Sequence, residues 1–143
     1  MNLTNVFKII DSWIKIIDVN LNVVIKGIQL GIEFLKKRGG GVIINTASLV
    51  GFYPLKLFPV YCTSKYGVIS FTQSLRDLNN TDKIRVNAVA PGFVVVKSEK
   101  SRSTPFDEVV NAFIKIIKDD KLVGDTILIP KENLSQIISK SFL

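Results

Sequence analysis

Three residues of this sequence have the side chains and the spacing that proton transfer requires. Ser48 precedes Tyr61 by thirteen residues, and Lys65 follows Tyr61 by four. Residues four apart share a face of a helix, so the Tyr61 phenol and the Lys65 ammonium are predicted neighbours. An ammonium within roughly 4–6 Å favours the charged phenolate, which makes a tyrosine a usable proton donor and acceptor. Ser48 could hydrogen-bond the oxygen atom on which charge develops.

Each of these residues also has a simpler interpretation. The Tyr-x-x-x-Lys spacing arises easily by chance in a chain with three tyrosines. Ser48 could only end a strand, and Lys65 could be an ordinary solvated lysine. The serine at its spacing and the Pro91-Gly92 loop after the next apolar segment make the combination more specific than the Tyr–Lys pair alone.

Hydrophobic periodicity predicts the elements that must position these residues. It predicts three helices, over 12–38, about 60–78 and 105–118. It predicts three β-branched, apolar strands, over 42–47, 84–90 and 126–129. The first helix has two apolar stripes, one expected to pack on a sheet and the other against more protein. The alternation indicates an α/β fold with parallel strands and right-handed crossovers.

The predicted fold brings the candidate residues to one edge. Ligands of parallel sheets bind beyond the carboxyl ends of the strands. Ser48 directly follows the first strand and Pro91-Gly92 follows the second, so both are expected at that edge. Asn20 is a further candidate because it interrupts an apolar stripe, where a polar side chain needs a partner. The alternative for Asn20 is a hydrogen bond to neighbouring backbone.

Composition narrows the classes of function. The 143 residues suffice for one domain, and the absence of histidine excludes His-based metal sites and Ser-His-Asp triads. The single cysteine, Cys62, fits a reducing compartment, so we predict a cytoplasmic protein without a metal. The net charge of +7 comes from scattered residues without a recognition motif, and we expect no nucleic-acid partner. We read no secretory signal and no membrane span.

The segments that hold these residues resemble the carboxyl-terminal part of the short-chain dehydrogenase/reductase family. They are Asp18-Val19-Asn20-Leu21, the run from Gly41 to Ser48, the run from Tyr61 to Lys65, and the run from Arg85 to Val94. Several also resemble its NAD-dependent 15-hydroxyprostaglandin dehydrogenase-like branch. The resemblance implies the carboxyl-terminal half of a Rossmann-like, doubly wound parallel sheet with three strands and helices on both faces.

The resemblance also implies an activity, the NAD(P)-dependent oxidation of a small-molecule alcohol or reduction of a carbonyl. Tyr61 would be the acid and base, Lys65 would favour its phenolate and hold the nicotinamide ribose, and Ser48 would position the substrate oxygen. Asn20 would fix a water in the proton relay beside the cofactor. The nicotinamide pocket would be lined by Pro91, Gly92 and Val94. The prostaglandin-dehydrogenase likeness favours NAD over NADP.

Other parts of the sequence depart from the family. No glycine-rich strand-to-helix turn for the cofactor pyrophosphate is present, and residues 1–12 form an atypical start. Val96 stands where relatives have threonine, and the substrate-covering stretch 97–104 is short. Residues 130–143 are expected to form a weakly amphipathic tail. We therefore expect one partial, truncated domain over 1–143, in which strand 42–47 is left at an apolar edge.

Two functions follow from these departures. The first is a truncated dehydrogenase or reductase that is inactive as the isolated chain. The alternative is a non-catalytic remnant or interaction subunit that pairs with full-length relatives. In either case the resemblance implies a homo- or hetero-oligomer, such as a dimer, through helices 12–38 and 60–78, which build the dimer interface in the family.

Overall fold

A computed structural model describes residues 13–94, 106–130 and 136–138. Helix α1 runs through three consecutive pieces, Trp13–Ile17, the π-helical turn Asp18–Asn22, and Val23–Arg38. The other helices are α2 (Pro59–Ser74), α3 (Leu78–Asp82) and α4 (Phe106–Lys118). The strands are β1 (Gly41–Thr46), β2 (Ile84–Pro91), β3 (Thr126–Ile129) and β4 (Gln136–Ile138).

The four strands form one sheet in the order β1-β2-β3-β4. The β1–β2 and β2–β3 pairs are parallel, which confirms the predicted α/β fold. The fourth strand corrects the prediction, because β4 pairs antiparallel with β3 inside the segment expected to be a tail. Three residues are too few to show a strand periodicity, so the sequence pattern missed it.

The predicted second helix is wrong at its end. Helix α2 stops at Ser74, and the short helix α3 begins at Leu78. Leu75 has left the helical conformation, and Lys83 closes α3 with a positive φ of 56°.

Apolar side chains cover both faces of the sheet. On the face of α1 and α2, the core holds Ala47, Val68, Ile69, Ala88, Ala90 and Leu128. On the face of α4, it holds Val89, Ala112, Ile116, Leu122, Ile127 and Ile129. Strand β2 lies between these clusters and is buried along nearly its whole length. This two-sided burial explains why the strands read as continuous apolar runs.

Three glycines join α1 to β1. Gly39 ends α1 in the left-handed conformation, with a φ of +90°. A Cβ atom added at Gly40 would lie 2.6 Å from the carbonyl oxygen of Lys83, so this turn has no room for a side chain. The close approach brings the start of β1 against the residue that precedes β2, and it sets the register of the parallel pair.

Strand β1 lies at the edge of the sheet, because β2 is its only strand partner in the described part of the chain. One apolar stripe of α1 packs inward, and Ile28 on it is buried. The second predicted stripe is exposed, with Phe34 at 68%. None of the helices in the described ranges is long and apolar enough to cross a membrane.

Candidate active site

Tyr61 and Lys65 lie on one face of α2, near its first turn. The Lys65 Nζ atom is 5.8 Å from the centroid of the Tyr61 ring, within the range of a cation–π contact. The same Nζ donates a hydrogen bond of 3.1 Å to the carbonyl oxygen of Thr46. Burial lowers the pKa of the Lys65 ammonium below its usual value. Lys65 is therefore a half-buried, hydrogen-bonded lysine and not an ordinary solvated one.

Ser48 lies just beyond the carboxyl end of β1. Its Oγ donates to the carbonyl oxygen of Pro91 at 3.4 Å and accepts from the N–H of Val50 at 3.4 Å. The second contact caps the 3-10 turn Leu49–Gly51. The first contact links the ends of β1 and β2, where the sequence predicted that they meet. Both long bonds are weak, so the hydroxyl can exchange them for a ligand oxygen.

The Pro91-Gly92 loop is held at the same edge. Pro91 is the last residue of β2, and the Gly92 N–H donates to the carbonyl oxygen of Ile129 at 3.0 Å. Val94 is half-buried, whereas Phe93 before it is largely exposed. Val96 and the stretch 97–104, which the sequence analysis singled out, lie outside the described residues.

Asn20 lies in the π-helical turn of α1. That turn is closed by a bond from the Val23 N–H to the Asp18 carbonyl oxygen, and such turns occur frequently at functional sites. Asn20 lines a groove of about 370 Å³ together with Thr46 and Lys65. Its side-chain amide has no hydrogen-bond partner within residues 13–94, 106–130 and 136–138. The alternative interpretation of Asn20 was a hydrogen bond from its side chain to neighbouring backbone. That bond is not present in the described part of the chain.

Close helix packing brings these residues together. A Cβ atom added at Gly67 would lie 3.0 Å from the Leu21 side chain, so α1 and α2 touch beside Asn20. A Cβ atom added at Gly51 would lie 3.0 Å from the carbonyl carbon of Lys65 and 2.6 Å from the Ile69 side chain. The loop after β1 therefore packs directly on the backbone of α2 that carries the lysine.

Sequence reasoning missed two parts of the site. The Thr46 carbonyl that holds Lys65 is a main-chain acceptor, which no side-chain pattern marks. The π-helical turn interrupts a sequence that reads as an uninterrupted amphipathic helix. Cys62 is buried, and its Sγ accepts a hydrogen bond from the Leu55 N–H at 3.3 Å.

A second, larger cavity is lined by neither Tyr61 nor Lys65. It measures about 740 Å³ and is mainly apolar, and the α2 residues that line it are Pro59, Cys62, Thr63 and Tyr66. These four residues follow the helical repeat along one stripe of α2, and that stripe differs from the one shared by Tyr61 and Lys65. The larger cavity and the candidate site therefore lie on different faces of this helix.

The groove fits one end of a nicotinamide dinucleotide. Lys65 and the Asn20 amide, which has no hydrogen-bond partner among the described residues, offer hydrogen-bond donors for a ribose or an amide beside apolar side chains. The described ranges contain no comparable binding site for the pyrophosphate. Such a site needs a strand that leads through a glycine-rich turn into a helix N-terminus, and β1, β2 and β3 do not have this arrangement in those ranges. The arrangement thus supports proton transfer next to a nicotinamide and leaves the remainder of the cofactor without contacts from these elements.

Comparisons with known proteins show the family of the chain. The sequence profile described as short chain dehydrogenase matches residues 4–105. The chain is 42% identical over 88 residues to a 15-hydroxyprostaglandin dehydrogenase (NAD(+)) of Homo sapiens, covering 58% of this chain and 33% of the relative. It is 44% identical over 82 residues to a 3alpha-hydroxysteroid dehydrogenase of Mediterraneibacter gnavus, covering 57% of this chain and 33% of the relative. The chain thus spans about a third of the length of these relatives.

A solved structure supports the fold. The acetoin dehydrogenase of Enterobacter cloacae superimposes with a TM-score of 0.77 over 85% of this chain and 55% of that chain. The two sequences are 21% identical, so this likeness establishes the fold alone. It confirms the Rossmann-like sheet that the resemblance implied.

Proposed function

The chain belongs to the short-chain dehydrogenase family, and from that premise we propose that it serves the oxidation of an alcohol or the reduction of a carbonyl. The observation that carries the proposal is the position of the Lys65 ammonium between the Tyr61 ring and the Thr46 carbonyl. This position sets a phenol, which can act as a general acid and base, beside a half-buried ammonium.

Each candidate residue has its own role in the proposed proton transfer. In the oxidation direction, the Tyr61 phenolate oxygen accepts the hydroxyl proton of the substrate, and in reduction it returns a proton to the carbonyl oxygen. Ser48 Oγ donates a hydrogen bond to the same substrate oxygen and stabilises the charge that develops there. Lys65 favours the phenolate electrostatically, and Asn20 orients a water that connects the lysine to solvent.

A nicotinamide dinucleotide would complete the reaction. Bound at this edge, it supplies the hydride acceptor or donor that none of the side chains can replace. Asn20, Tyr61 and Lys65 would contact the cofactor, with Lys65 holding its ribose. Pro91, Gly92 and Val94 would form the wall of the nicotinamide pocket. The name of the human relative favours NAD over NADP for this chain.

The relatives favour an apolar secondary alcohol as the substrate class. The two compared relatives are named for a hydroxyprostaglandin and a hydroxysteroid. The half-buried Val94 and the exposed Phe93 at the candidate edge are compatible with apolar substrates of this kind. A cytoplasmic location, inferred from the single cysteine, and an oligomer through α1 and α2 remain predictions.

The proposal is tested on the protein purified from cells that make it. NAD⁺ and NADP⁺ are each supplied with a 15-hydroxyprostaglandin, a 3α-hydroxysteroid or no alcohol, and the reduced dinucleotide is measured. We expect alcohol-dependent reduction with NAD⁺. If no secondary alcohol supports reduction of either dinucleotide, the enzyme proposal fails and the non-catalytic alternative replaces it.

A further inference from the structure

Two side-chain hydrogen bonds join α2 to the end of β1. The first is the bond from the Lys65 Nζ to the carbonyl oxygen of Thr46. The second joins Asn45, the residue before Thr46, to Thr72 near the end of α2. In this bond the Asn45 Nδ2 donates to the Thr72 Oγ1 at 2.8 Å. The proposed proton transfer does not use the second bond, although it begins one residue away from the first.

The bond between Asn45 and Thr72 is buried, and its direction is fixed. Asn45 is 7% exposed and Thr72 is fully buried. The Thr72 hydroxyl donates its one proton to the carbonyl oxygen of Val68 at 2.8 Å, so its oxygen is left to accept from the Asn45 amide. Both polar groups are therefore satisfied at only one position of α2 relative to β1.

The packing around this bond is apolar. Val68 and Ile69 of α2 belong to the same buried cluster as Ala47, after β1, and Ala88 of β2. Burial of apolar surface is non-directional, so such contacts alone allow a helix to settle at more than one position along a strand. A buried hydrogen bond has a narrow range of lengths and angles, and it therefore selects one of these positions.

Thr72 lies on the same face of α2 as Lys65. It follows Lys65 by seven residues, which is about two helical turns. Both residues belong to one continuous helix, so a shift of the helix at Thr72 is carried to Lys65. The bond from Lys65 to the Thr46 carbonyl is already 3.1 Å long, and a shift of about 1 Å along β1 would break it.

We propose that Asn45 and Thr72 are positioning residues, which set the position of α2 along β1 and thereby hold the Lys65 ammonium at the Thr46 carbonyl beside Tyr61. As a contribution to turnover this inference rests on the proposed function, whereas the effect on Lys65 is independent of turnover. The role is in position more than in stability, because two apolar groups of the same shape would stabilise the fold about as well as a buried hydrogen-bonded pair does. Thr72 acts only through α2, since it does not line the groove of about 370 Å³.

The first test needs no turnover and uses the full 143-residue chain. Thr72→Val keeps the shape of the side chain and removes the hydroxyl, whereas Thr72→Ser keeps the hydroxyl. The pKa of Lys65 is measured by NMR of isotope-labelled lysine, with Lys65→Met to assign the signal and urea unfolding to show that each variant is folded. We expect Thr72→Val to move this pKa back toward 10.5, because the released ammonium regains solvent, and Thr72→Ser to leave it lowered.

An unchanged pKa of Lys65 in folded Thr72→Val contradicts the proposal, whatever the activity of the chain. If Thr72→Val does not fold, Asn45→Ala takes its place with the same expected shift. This change removes the same bond from the side of the strand and leaves the Thr72 hydroxyl bonded to the Val68 carbonyl. A lowered pKa in Asn45→Ala would then overturn the proposal.

The second test is the turnover of the same variants in the protein purified from cells that make it. We expect Thr72→Val to lower kcat about 10–100-fold with little change in KM, and Thr72→Ser to lower it less than about threefold. Thr63→Val is the matched control, because this exposed hydroxyl of α2 also donates to the carbonyl four residues earlier, at 2.9 Å, and faces away from β1. Equal losses in Thr72→Val and Thr63→Val would contradict a role of the bond to β1.

A double-mutant cycle separates the pair from the groove. Asn45 lines the groove and Thr72 does not, so Asn45→Ala combines the loss of the bond with any direct effect on a bound ligand. We expect the double variant to have the kcat of Asn45→Ala within about twofold, because the bond is already lost in that single variant. Fully additive losses would contradict the pair. A wild-type protein without turnover would overturn the proposed function, and the pKa of Lys65 in Thr72→Val would still decide this inference.

Discussion

Lys65 joins α2 to the last residue of β1 through a 3.1 Å hydrogen bond from its Nζ to the carbonyl oxygen of Thr46. The ammonium is thereby held 5.8 Å from the centre of the Tyr61 ring. The cost of this arrangement is desolvation, which lowers the pKa of Lys65. The same burial that keeps the cation beside the phenol therefore destabilises the folded chain when the lysine is protonated.

This desolvation predicts a pH-dependent effect on stability. Between the lowered folded pKa and the usual value of 10.5, the unfolded chain binds more protons at Lys65 than the folded chain does. The wild-type chain should therefore gain stability relative to Lys65→Met as the pH rises through that window. Urea unfolding of both proteins from neutral pH up to 10.5 measures the difference. The exposed Lys26→Met serves as control, and a pH-independent difference for Lys65→Met would contradict the desolvation.

Two glycine positions should respond to alanine in opposite directions. At Gly51 the new methyl group meets Ile69 and the Lys65 backbone, so Gly51→Ala should destabilise the fold by about 1–3 kcal/mol. At Gly27 the methyl group meets nothing within 4 Å, so Gly27→Ala should stabilise α1 by about 0.5–1 kcal/mol. Thermal and urea unfolding measure both. Destabilisation by Gly27→Ala would show that the helix is more tightly packed there than the structure indicates.

Asn87 should be a major determinant of stability. This fully buried side chain donates to the Leu122 carbonyl at 2.9 Å and accepts from the Asp125 N–H at 2.9 Å. Replacement by alanine removes both of these buried hydrogen bonds and leaves a cavity, and we expect a loss of about 2–4 kcal/mol in the free energy of unfolding. The exposed Asn80→Ala should change it by less than about 0.5 kcal/mol. Similar values for the two variants would contradict the role of Asn87.

The isolated 143-residue chain should bind dinucleotides poorly. The groove beside Asn20 and Lys65 suits the nicotinamide-ribose end, whereas the described elements offer no cradle for the pyrophosphate. We expect no saturable binding of NADH or NADPH in the micromolar range, measured by the fluorescence of the reduced nicotinamide. Clear micromolar binding would contradict this assignment of contacts.

The sequence predicted those features that depend on local pattern. Runs such as 84–90 are apolar and β-branched because β2 is buried on both faces, so their identity as strands was evident. The meeting of Ser48 with Pro91 followed from the rule that ligand-binding loops lie at the carboxyl ends of parallel strands.

Features that depend on tertiary contacts could not be predicted from the sequence. The π-helical turn at Asn20 replaces i to i−4 bonding within an otherwise regular amphipathic pattern. The end of α2 at Ser74 has no proline or glycine to mark it, and β4 is too short for periodicity to show. The pKa of Lys65 depends on burial, which the folded arrangement creates. The catalytic and cofactor roles of Asn20, Ser48, Tyr61 and Lys65 stay predictions.

The most direct test of the active-site assignment is the turnover of Tyr61→Phe beside that of Tyr66→Phe, in the protein purified from cells that make it. Both changes remove one phenolic oxygen from α2, but Tyr66 is 58% exposed and lies away from the face of Lys65. We expect Tyr61→Phe to lower kcat for alcohol oxidation by about 10²–10⁴-fold, and Tyr66→Phe to change it by less than about twofold. Equal turnover of the two variants would contradict the assignment of Tyr61 as the acid and base.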